Sequence, residues 1–590
     1  MRKLLALLFC ILSTVPAGAQ TTWVTGAVED SITHNPLPGV TVSVVNDTVK
    51  VMSNSYGLFR IVIPSGSTHL LFELPGYQSR TIAIDRVSRM LVALVPKDKE
   101  KTASEIAIAK AKAKARFAHS SNPNYGNTGM GINTFFDETY GTIYENKFVE
   151  TMKNATSNFA LDVDRAAYSN IRRFVRLKER VPADAVRIEE MVNYFHYNYP
   201  PPGKNQLLAI HSQYAVCPWE PEHNLLQIAV RAKQVDIDSL PASNLVFLID
   251  VSGSMGTQNK LPLLQAAFRV LVNNLRANDR VAIVAYAGTP GIVLPATKGD
   301  QKEKILNAID YLSAGGATAG EAAIKMAYQI AVENFIPNGN NRVILATDGD
   351  FNVGQTSDHE MEELIMQKKE SGVLLTCLGF GMGDYKDSKL EALSSKGNGN
   401  FAYIDNLEEA NKIFAREFGS TLFTIVQDTK AQVWFNPSVV KAYRLIGYEN
   451  KVLKEDNTSG DKVVGGIIGA GHCSVALYEI IPRDSSAAVE DSVLGEVKLW
   501  YRQPADSITL TMDYEIPGKV TAFEDASDDF RFAGSVALLG MLLRKSNYKG
   551  RGNAAMVTAI AKRSLGPDKG GYRKEFLKLV KELRKTDNVK

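Results

Sequence analysis

The sequence predicts a multidomain fold: an α/β domain on a doubly wound parallel sheet, an all-β sandwich before it, and an α+β region after it. Three observations predict this arrangement. The chain has 590 residues, more than one hydrophobic core supports. Strand-like runs and helical patterns alternate through residues 242–420. Strand-like runs without helices between them fill residues 20–96 and much of 421–526.

Residues 1–19 follow the pattern of a secretory signal peptide. Two basic residues precede an apolar run from Leu4 to Leu12, and the small residues Ala17 to Ala19 precede Gln20. The run is shorter than the roughly 20 residues that cross a membrane, and no later stretch is long and apolar enough to do so. We therefore expect an exported protein of a bacterial periplasm or cell envelope, with no transmembrane segment in the mature chain. The formal net charge of +3 gives no indication of a nucleic-acid partner.

The mature chain has three widely spaced cysteines, Cys217, Cys377 and Cys473. An odd and scattered set argues against a disulfide framework, although one bridge stays open. Cys377 lies in an apolar run, which favours a small core residue.

Residues 20–96 have the pattern of an all-β module, in which alternating apolar runs are separated by turn residues. The order of its apolar, glycine, proline and aromatic positions resembles the carboxypeptidase regulatory-like domain. The matching positions are Val24, Gly26, Val28, Pro36 to Val40, Gly57, Phe59, Gly76 and Tyr77. The resemblance implies a transthyretin-like sandwich of seven strands with no catalytic role of its own.

Residues 97–143 are predicted to be a linker. Lys, Ala and Glu dominate its first part, which is compatible with a solvated helix, and Ser, Asn and Gly dominate the rest. The basic run at 110–116 could contact an anionic surface, although charged linkers usually remain in water. Residues 144–241 then show a strand-like start, two amphipathic helices and a further strand.

Residues 242–420 contain the predicted α/β domain. Its strand-like runs are NLVFLID, RVAIVAY, GIVLP, RVILAT, VLLTCLGF and NFAYID, with helical patterns between most of them. VFLID and VILAT are apolar throughout, which is typical of central parallel strands buried on both faces. In such sheets, ligands bind at the carboxyl ends of the strands. Residues 421–590 show further strands and then helices from about 527, which is the α+β pattern.

Oxygen-bearing side chains follow two of these strands. Asp250, Ser252 and Ser254 come at the end of VFLID, Asp348 follows RVILAT, and Thr318 lies in a glycine-rich loop before a helix. Carboxylate and hydroxyl oxygens are hard donors, which suit Mg²⁺. All three loops fall at the same edge of the predicted sheet. The alternative is a loop that only caps a helix, but such a cap requires neither Thr318 nor Asp348.

This set resembles the metal-ion-dependent adhesion site of von Willebrand factor A domains, which have a Rossmann-like fold. The resemblance implies that Ser252 and Ser254 ligate Mg²⁺ (or Mn²⁺) directly, and that Thr318 does so directly or through water. It implies that Asp250 and Asp348 act largely through water, with direct ligation as the alternative for Asp348. One place on the ion would then be open to an Asp or Glu carboxylate of a protein partner.

Longer stretches resemble the bacterial YfbK-type family, which joins an A domain to an N-terminal segment and a C-terminal domain of unknown function. They include FALDVDRAAYSNIRRFV, LATDGDFNVG, AYRLIGYEN and DFRFAGSVALLGMLLR, and the match spans about residues 144–585. The resemblance implies domains at 144–241, 242–420 and 421–590. Family members are often lipoproteins, whereas this chain lacks a lipid-attachment cysteine and adds the β module.

Three further patterns have weaker functional interpretations. Asp162 and Asp164 could form a second cation site, but such residues more often cap a following helix. His472 and Cys473 are adjacent on a strand and so point to opposite faces, which favours a structural pair over a nucleophile with its base. The glycine pattern at 379–383 favours a turn beside the metal-site edge over a nucleotide loop.

The function predicted from these observations is an exported binding protein, not an enzyme, that captures a protein ligand through Mg²⁺. One alternative is a cell-envelope structural protein in which the metal only stabilises the A domain. Another is an accessory subunit of a larger ATPase assembly, which export would separate from its ATPase. A hydrolase is suggested only by the carboxypeptidase-like module, and no nucleophile with its base and no zinc set supports it.

Overall fold

The computed structural model separates into two compact units, residues 1–131 and 132–590, and we describe each by itself. It describes residues 22–31, 37, 39–53, 58–64, 66–84, 90–97, 140, 142–161, 164–236, 239–287, 290–315, 320–349, 358–381, 387–453, 465–483, 492–504, 508–586 and 589. The predicted signal peptide and most of the predicted linker lie outside the described residues.

The first unit contains seven strands within its described residues: β1 (Thr22–Asp30), β2 (Thr41–Val44), β3 (Lys50–Met52), β4 (Leu58–Ile63), β5 (His69–Glu73), β6 (Arg80–Ala83) and β7 (Met90–Leu94). They form one sheet in the order β4-β1-β7 and another in the order β3-β2-β5-β6. Alternate residues of both sheets share one core, for example Val28 and Ile61 from the first and Val42 and Phe72 from the second. The likeness to transthyretin itself stays a prediction.

The second unit begins with β8 (Val149–Glu150), β9 (Thr156–Ala160), α1 (Ala166–Arg176), α2 (Ile188–Asn193), β10 (Leu208–Val216) and β11 (Asn224–Ala232). The α/β domain follows with β12 (Ser243–Asp250), α3 (Leu261–Asn273), β13 (Arg280–Tyr286), β14 (Gly291–Lys298), α4 (Lys302–Asp310), α5 (Gly320–Glu333), β15 (Asn340–Thr347), α6 (Asp358–Lys369), β16 (Leu374–Phe380), α7 (Asp387–Lys396), β17 (Phe401–Ile404), α8 (Leu407–Asn411), a π-helical turn (Lys412–Arg416) and α9 (Phe418–Leu422).

The α/β domain has helices on both faces of a six-stranded sheet, as the sequence predicts. Its order is β14-β13-β12-β15-β16-β17, and every residue of the two central strands β12 and β15 is buried. Side chains of β12 alternate between two cores. Phe247 packs in a core with Phe268 of α3 on one face, and Leu248 packs in a core with Ile324 of α5 on the other.

Strand β14 is the exception to the predicted parallel sheet, because it pairs antiparallel with β13. Residues 287–290 alone separate the two strands. A parallel pair needs a crossover of a dozen or more residues, so this connection can only form a hairpin.

The chain ends with β18 (Thr424–Phe435), β19 (Val440–Ile446), β20 (Gly466–Gly469), β21 (Cys473–Pro482), β22 (Val493–Arg502), β23 (Thr509–Pro517), α10 (Asp528–Arg544), α11 (Ala554–Arg563) and α12 (Tyr572–Lys585). These strands share sheets with the segment that precedes the α/β domain. One sheet has the order β10-β11-β21-β19-β8, and in the other β9 pairs with β18. The predicted boundaries near residues 241 and 421 stay predictions, but the segments outside them pair with one another.

Helix α10 lies inside the core that it shares with α1, α2, α11 and α12, and it is buried around its whole circumference from Phe532 to Leu543. Its apolar run from Val536 to Leu543 is part of this core. Among the described residues, no helix has both the length and the apolar character needed to cross a membrane.

Candidate metal centre

Asp250 is the last residue of the central strand β12, and its side chain is fully buried. The carboxylate is fixed by two neighbours. Its Oδ1 accepts a hydrogen bond from the backbone N–H of Ser252 at 2.9 Å, and its Oδ2 accepts one from the Thr347 hydroxyl at 3.0 Å. Because Thr347 ends the adjacent strand β15, both central strands hold the carboxylate in place.

The hydroxyls of Ser252 and Ser254 lie 3.0 Å apart, Oγ to Oγ, in the loop after β12. The loop turns through a 3-10 helix at Gly253–Gly256, where Met255 is fully buried. With Met255 in the core, the two serines on either side of Gly253 present their hydroxyls together. The structure therefore brings Ser252 and Ser254 together as the sequence predicts.

Asp348 follows β15, and its carboxylate is fully buried. Its Oδ2 accepts a hydrogen bond from the Lys260 ammonium at 2.8 Å, and the Lys260 side chain is only 6% exposed. The stem of Lys260 lies against Gly381, where an added Cβ would be 2.2 Å from Lys260 Cγ. Gly381 has φ +81°, so a side chain there would be strained as well as obstructed. Gly381, which follows β16, thus lies beside Lys260 at the edge of the candidate centre, whereas Gly383 of the same pattern lies outside the described residues.

Thr318 lies outside the described residues, so its place in the set stays a prediction. The last described residue before it, Gly315, donates its backbone N–H to the carbonyl of Val251 at 2.7 Å. That bond attaches the start of the glycine-rich loop to the Asp250 loop.

The electrostatics of the site favour a cation. The pKa of the Asp250 carboxyl is raised to about 6, chiefly by burial and also by the charge of Asp348, while hydrogen bonds from Ser252 and Thr347 oppose the rise. Burial and the charge of Asp250 also raise the pKa of the Tyr286 hydroxyl well above its usual value. Among the described residues, the Lys260 ammonium pairs with Asp348, whereas Asp250 accepts hydrogen bonds from the neutral Ser252 N–H and Thr347 hydroxyl.

The donor set fits a hard divalent ion such as Mg²⁺ in its chemistry, because it consists of carboxylate and hydroxyl oxygens. The described residues include no group of three or more His, Cys, Asp or Glu side chains placed to hold a metal. The candidate centre therefore depends on its serine and threonine hydroxyls as well as on its two carboxylates.

Sequence reasoning did not assign Lys260 and Thr347 to the site. Thr347 was detectable, since it directly precedes Asp348 at the end of a buried strand. Lys260 had no comparable signal, because a lysine at the start of a helix is usually solvated. Its role depends on the space above Gly381, which only the folded chain creates.

The other candidate residues have structural roles. Asp164 does not occupy the N-cap of α1, which is Arg165; its Oδ1 instead accepts a hydrogen bond from the backbone N–H of Phe401 at 2.9 Å. Asp162 lies outside the described residues. Burial raises the pKa of the Cys473 thiol to about 12, and burial together with nearby arginines lowers the pKa of His472 well below its usual value. The thiol therefore stays protonated, which agrees with the structural interpretation of this pair.

All three cysteines of the described chain are free and buried. The bridge that the sequence left open is therefore not formed among them. Burial also raises the pKa of the Cys377 thiol, as expected for a core residue of β16.

The chain matches four family profiles. Residues 244–416 match "von Willebrand factor type A domain", and residues 134–227 match "von Willebrand factor". Residues 420–586 match "Uncharacterized protein YfbK, C-terminal", and residues 24–108 match "CarboxypepD_reg-like domain".

Among individual proteins, the chain is 37% identical over 463 residues to "Uncharacterized protein YfbK" of Escherichia coli, covering 75% of this chain and 80% of that one. It is 27% identical over 172 residues to inter-alpha-trypsin inhibitor heavy chain H2 of Sus scrofa, of which it covers 18%. A solved structure, the von Willebrand factor type A protein of Catenulispora acidiphila, is similar at a TM-score of 0.38 and 17% identity, over 64% of this chain and 91% of that chain.

Proposed function

Since the chain belongs to the YfbK family of von Willebrand factor A domain proteins, we propose that it is an exported protein that binds a protein partner through a divalent metal ion. The ion is Mg²⁺ (or Mn²⁺), and its proposed ligands are Asp250, Ser252, Ser254, Thr318 and Asp348. The coarse part of this proposal, a protein-interaction role, rests on the A domain itself.

One observation supports the metal most directly. Asp250 and Asp348 are both fully buried at the carboxyl ends of neighbouring central strands, next to a pair of hydroxyls 3.0 Å apart. Buried carboxylates are costly unless they are paired or bound to a metal. The described residues provide one buried ammonium, Lys260, for these two carboxylates. The two carboxylates and the ammonium together thus have a net negative charge, and a bound divalent ion would make the net charge of the site positive.

That reversal is the basis of the proposed binding mechanism. When bound, the ion supplies a Lewis-acidic coordination place for a carboxylate of the partner. The residues of this chain do the rest: Thr347 and the Ser252 N–H orient the Asp250 carboxylate, and Lys260 balances the charge of Asp348. The neutral serine hydroxyls add no charge, so the loaded site stays positive and attracts an Asp or Glu side chain.

A non-enzymatic role agrees with the protonation states of His472 and Cys473 and with the names of the relatives. The one candidate nucleophile pair has a protonated thiol and a neutral, buried imidazole. The relatives are either uncharacterised or are heavy chains of an inhibitor by name.

Titration calorimetry with Mg²⁺ and Mn²⁺ tests the metal site. Asp348→Ala should abolish or strongly weaken binding, and Ser254→Ala should weaken it mildly, because water can replace a hydroxyl but not a charge. Asp310→Ala is the matched control, since its carboxylate is 41% exposed in the same domain. Equal affinity in wild type and Asp348→Ala refutes the site.

Two further experiments separate the other parts of the proposal. Pull-down from envelope extract in Mg²⁺ and in EDTA tests the adhesion mechanism: an identical partner set in both favours a metal that only stabilises the domain. Mass spectrometry of the native protein tests export, which predicts a mature terminus near Gln20; an intact Met1 in cytosol contradicts it.

A further inference from the structure

A second group of polar side chains lies where the α/β domain meets the flanking sheets. Arg231 is in β11, and His472 immediately precedes the neighbouring strand β21, whose Cys473 is the register partner of Arg231. The backbone N–H of Ala232 donates to the His472 carbonyl at 2.8 Å. Arg165, just before α1, completes the group by its contact with His472.

The contact between Arg165 and His472 fixes the protonation of the imidazole. Arg165 Nη2 lies 2.5 Å from His472 Nδ1. A guanidinium can only donate, so Nδ1 must accept, and the neutral ring carries its proton on Nε2. His472 is 7% exposed, and its Nε2 is buried with no hydrogen-bond partner among the described residues. The ring therefore presents a buried N–H donor without an acceptor.

Arg231 adds further donors of the same kind. Its Nε and Nη1 atoms are buried and have no hydrogen-bond partner within the described part of the chain. An unmatched buried donor is costly, and more so on a charged group. Such unmatched donors require an explanation in a native fold, and an acceptor supplied by another molecule is one explanation.

The charged side chains at this junction are mostly positive, which favours an anionic ligand. Glu417 is the nearby carboxylate, and it is engaged by Arg165 and, at 3.5 Å, by Lys412. Arg231 has no ion pair with any described carboxylate at that distance. The group of Arg165, Arg231 and Lys412 therefore has more positive than negative charge.

A cleft of about 620 Å³ adjoins this group through Glu417, the ion-pair partner of Arg165, and His196 also lies in its lining. Arg231 and His472 are not themselves part of that lining. Burial and the charge of Arg231 lower the pKa of His196. Asp529, also in the lining, is already engaged, since Arg573 and the backbone N–H of Asn198 donate to it.

We propose that this junction is a binding site for a small oxyanion, of the carboxylate or phosphate class, whose oxygens accept hydrogen bonds from Arg231 and from His472 Nε2. The chemistry of the site follows from the donors: a charged guanidinium and a neutral imidazole N–H suit an anionic oxygen acceptor. The site is separate from the metal centre and does not depend on it.

Calorimetry on the full chain, free of divalent ions and at constant ionic strength, tests this with inorganic phosphate, sulfate and acetate as probes and chloride as the reference. The wild type should bind at least one oxyanion, and Arg231→Met should weaken that binding about tenfold or more. Arg269→Met is the matched control, because Arg269 is 46% exposed on α3 and should leave affinity unchanged. If Arg231→Met does not fold, Arg231→Lys keeps the charge but loses the guanidinium, and should still bind more weakly.

The probes also distinguish the ligand class. Binding of acetate alone assigns the site to carboxylates, and binding of phosphate or sulfate assigns it to tetrahedral anions. If the wild type binds none of the three at up to about 10 mM, water satisfies these donors and the proposal is overturned. Equal affinity in wild type and the Arg231 variant overturns it as well.

Discussion

Replacing Asp250 with asparagine is expected to stabilise the metal-free protein at neutral pH. Burial raises the pKa of this carboxyl from 3.8 to about 6, so at pH 7 the fold contains a carboxylate that it disfavours. A difference of about two in pKa corresponds to about 3 kcal/mol. Asparagine has nearly the same shape and no charge, and its amide oxygen can still accept from the Ser252 N–H. The gain should therefore be positive and at most about 3 kcal/mol.

The stability of the wild type should depend on pH in a direction set by the raised pKa of Asp250. A carboxyl whose folded pKa is raised takes up a proton on folding, so the wild type should lose stability as pH rises from about 4 to about 6. Asp250→Asn should lack this step, and the two proteins should converge near pH 4. Magnesium should stabilise only the wild type at pH 7, because the variant has lost one of two carboxylate donors.

Hydrogen exchange of the β12 and β15 backbone, followed from about pH 4 to about pH 8 with EDTA and then with Mg²⁺, measures this locally. Local exchange is preferable to global unfolding, which is not two-state in a multidomain chain. Asp310→Asn, at an exposed position of the same domain, should follow the wild type throughout. A metal-free Asp250→Asn protein that is less protected than wild type at pH 7 would refute the reasoning.

Three further predictions follow from other contacts. Lys260→Met removes the ammonium that balances the charge of Asp348. The affinity for Mg²⁺ measured by calorimetry should therefore rise about tenfold, and the stability of the metal-free protein should fall. An unchanged Mg²⁺ affinity contradicts this. Arg172→Met should lower the unfolding free energy by about 3 kcal/mol, since it removes the ion-pair partner of the buried Glu409 and leaves Asp405 with the partly exposed Arg176 alone among the described residues. Arg176→Met, which removes a 47% exposed partner of the same Asp405, should cost far less in the same thermal unfolding series. Removal of the N-terminal β module should leave the melting temperature of the second unit unchanged, and a marked decrease would show that the two share a core.

Particular elements of the α/β domain show how far the sequence predicts the structure. The apolar runs VFLID and VILAT predict central strands, and these are β12 and β15, in which every residue is buried. Their ends determine where Asp250 and Asp348 lie, since carboxyl ends of neighbouring parallel strands share one edge. Local spacing alone brings Ser252 and Ser254 together, because they are two residues apart in one short loop.

The sequence by itself therefore determined the class of the α/β domain and which described oxygen-bearing side chains meet at the carboxyl edge of its sheet, since both depend on periodicity and strand ends. Only the tertiary structure decided which distant segments meet. It pairs β11 with β21 and β9 with β18, places Lys260 against Asp348, and sets Arg231 beside His472. The physical reason is that a periodic pattern specifies which face of an element is buried, whereas the partner on that face depends on pairing and packing between residues far apart in the chain.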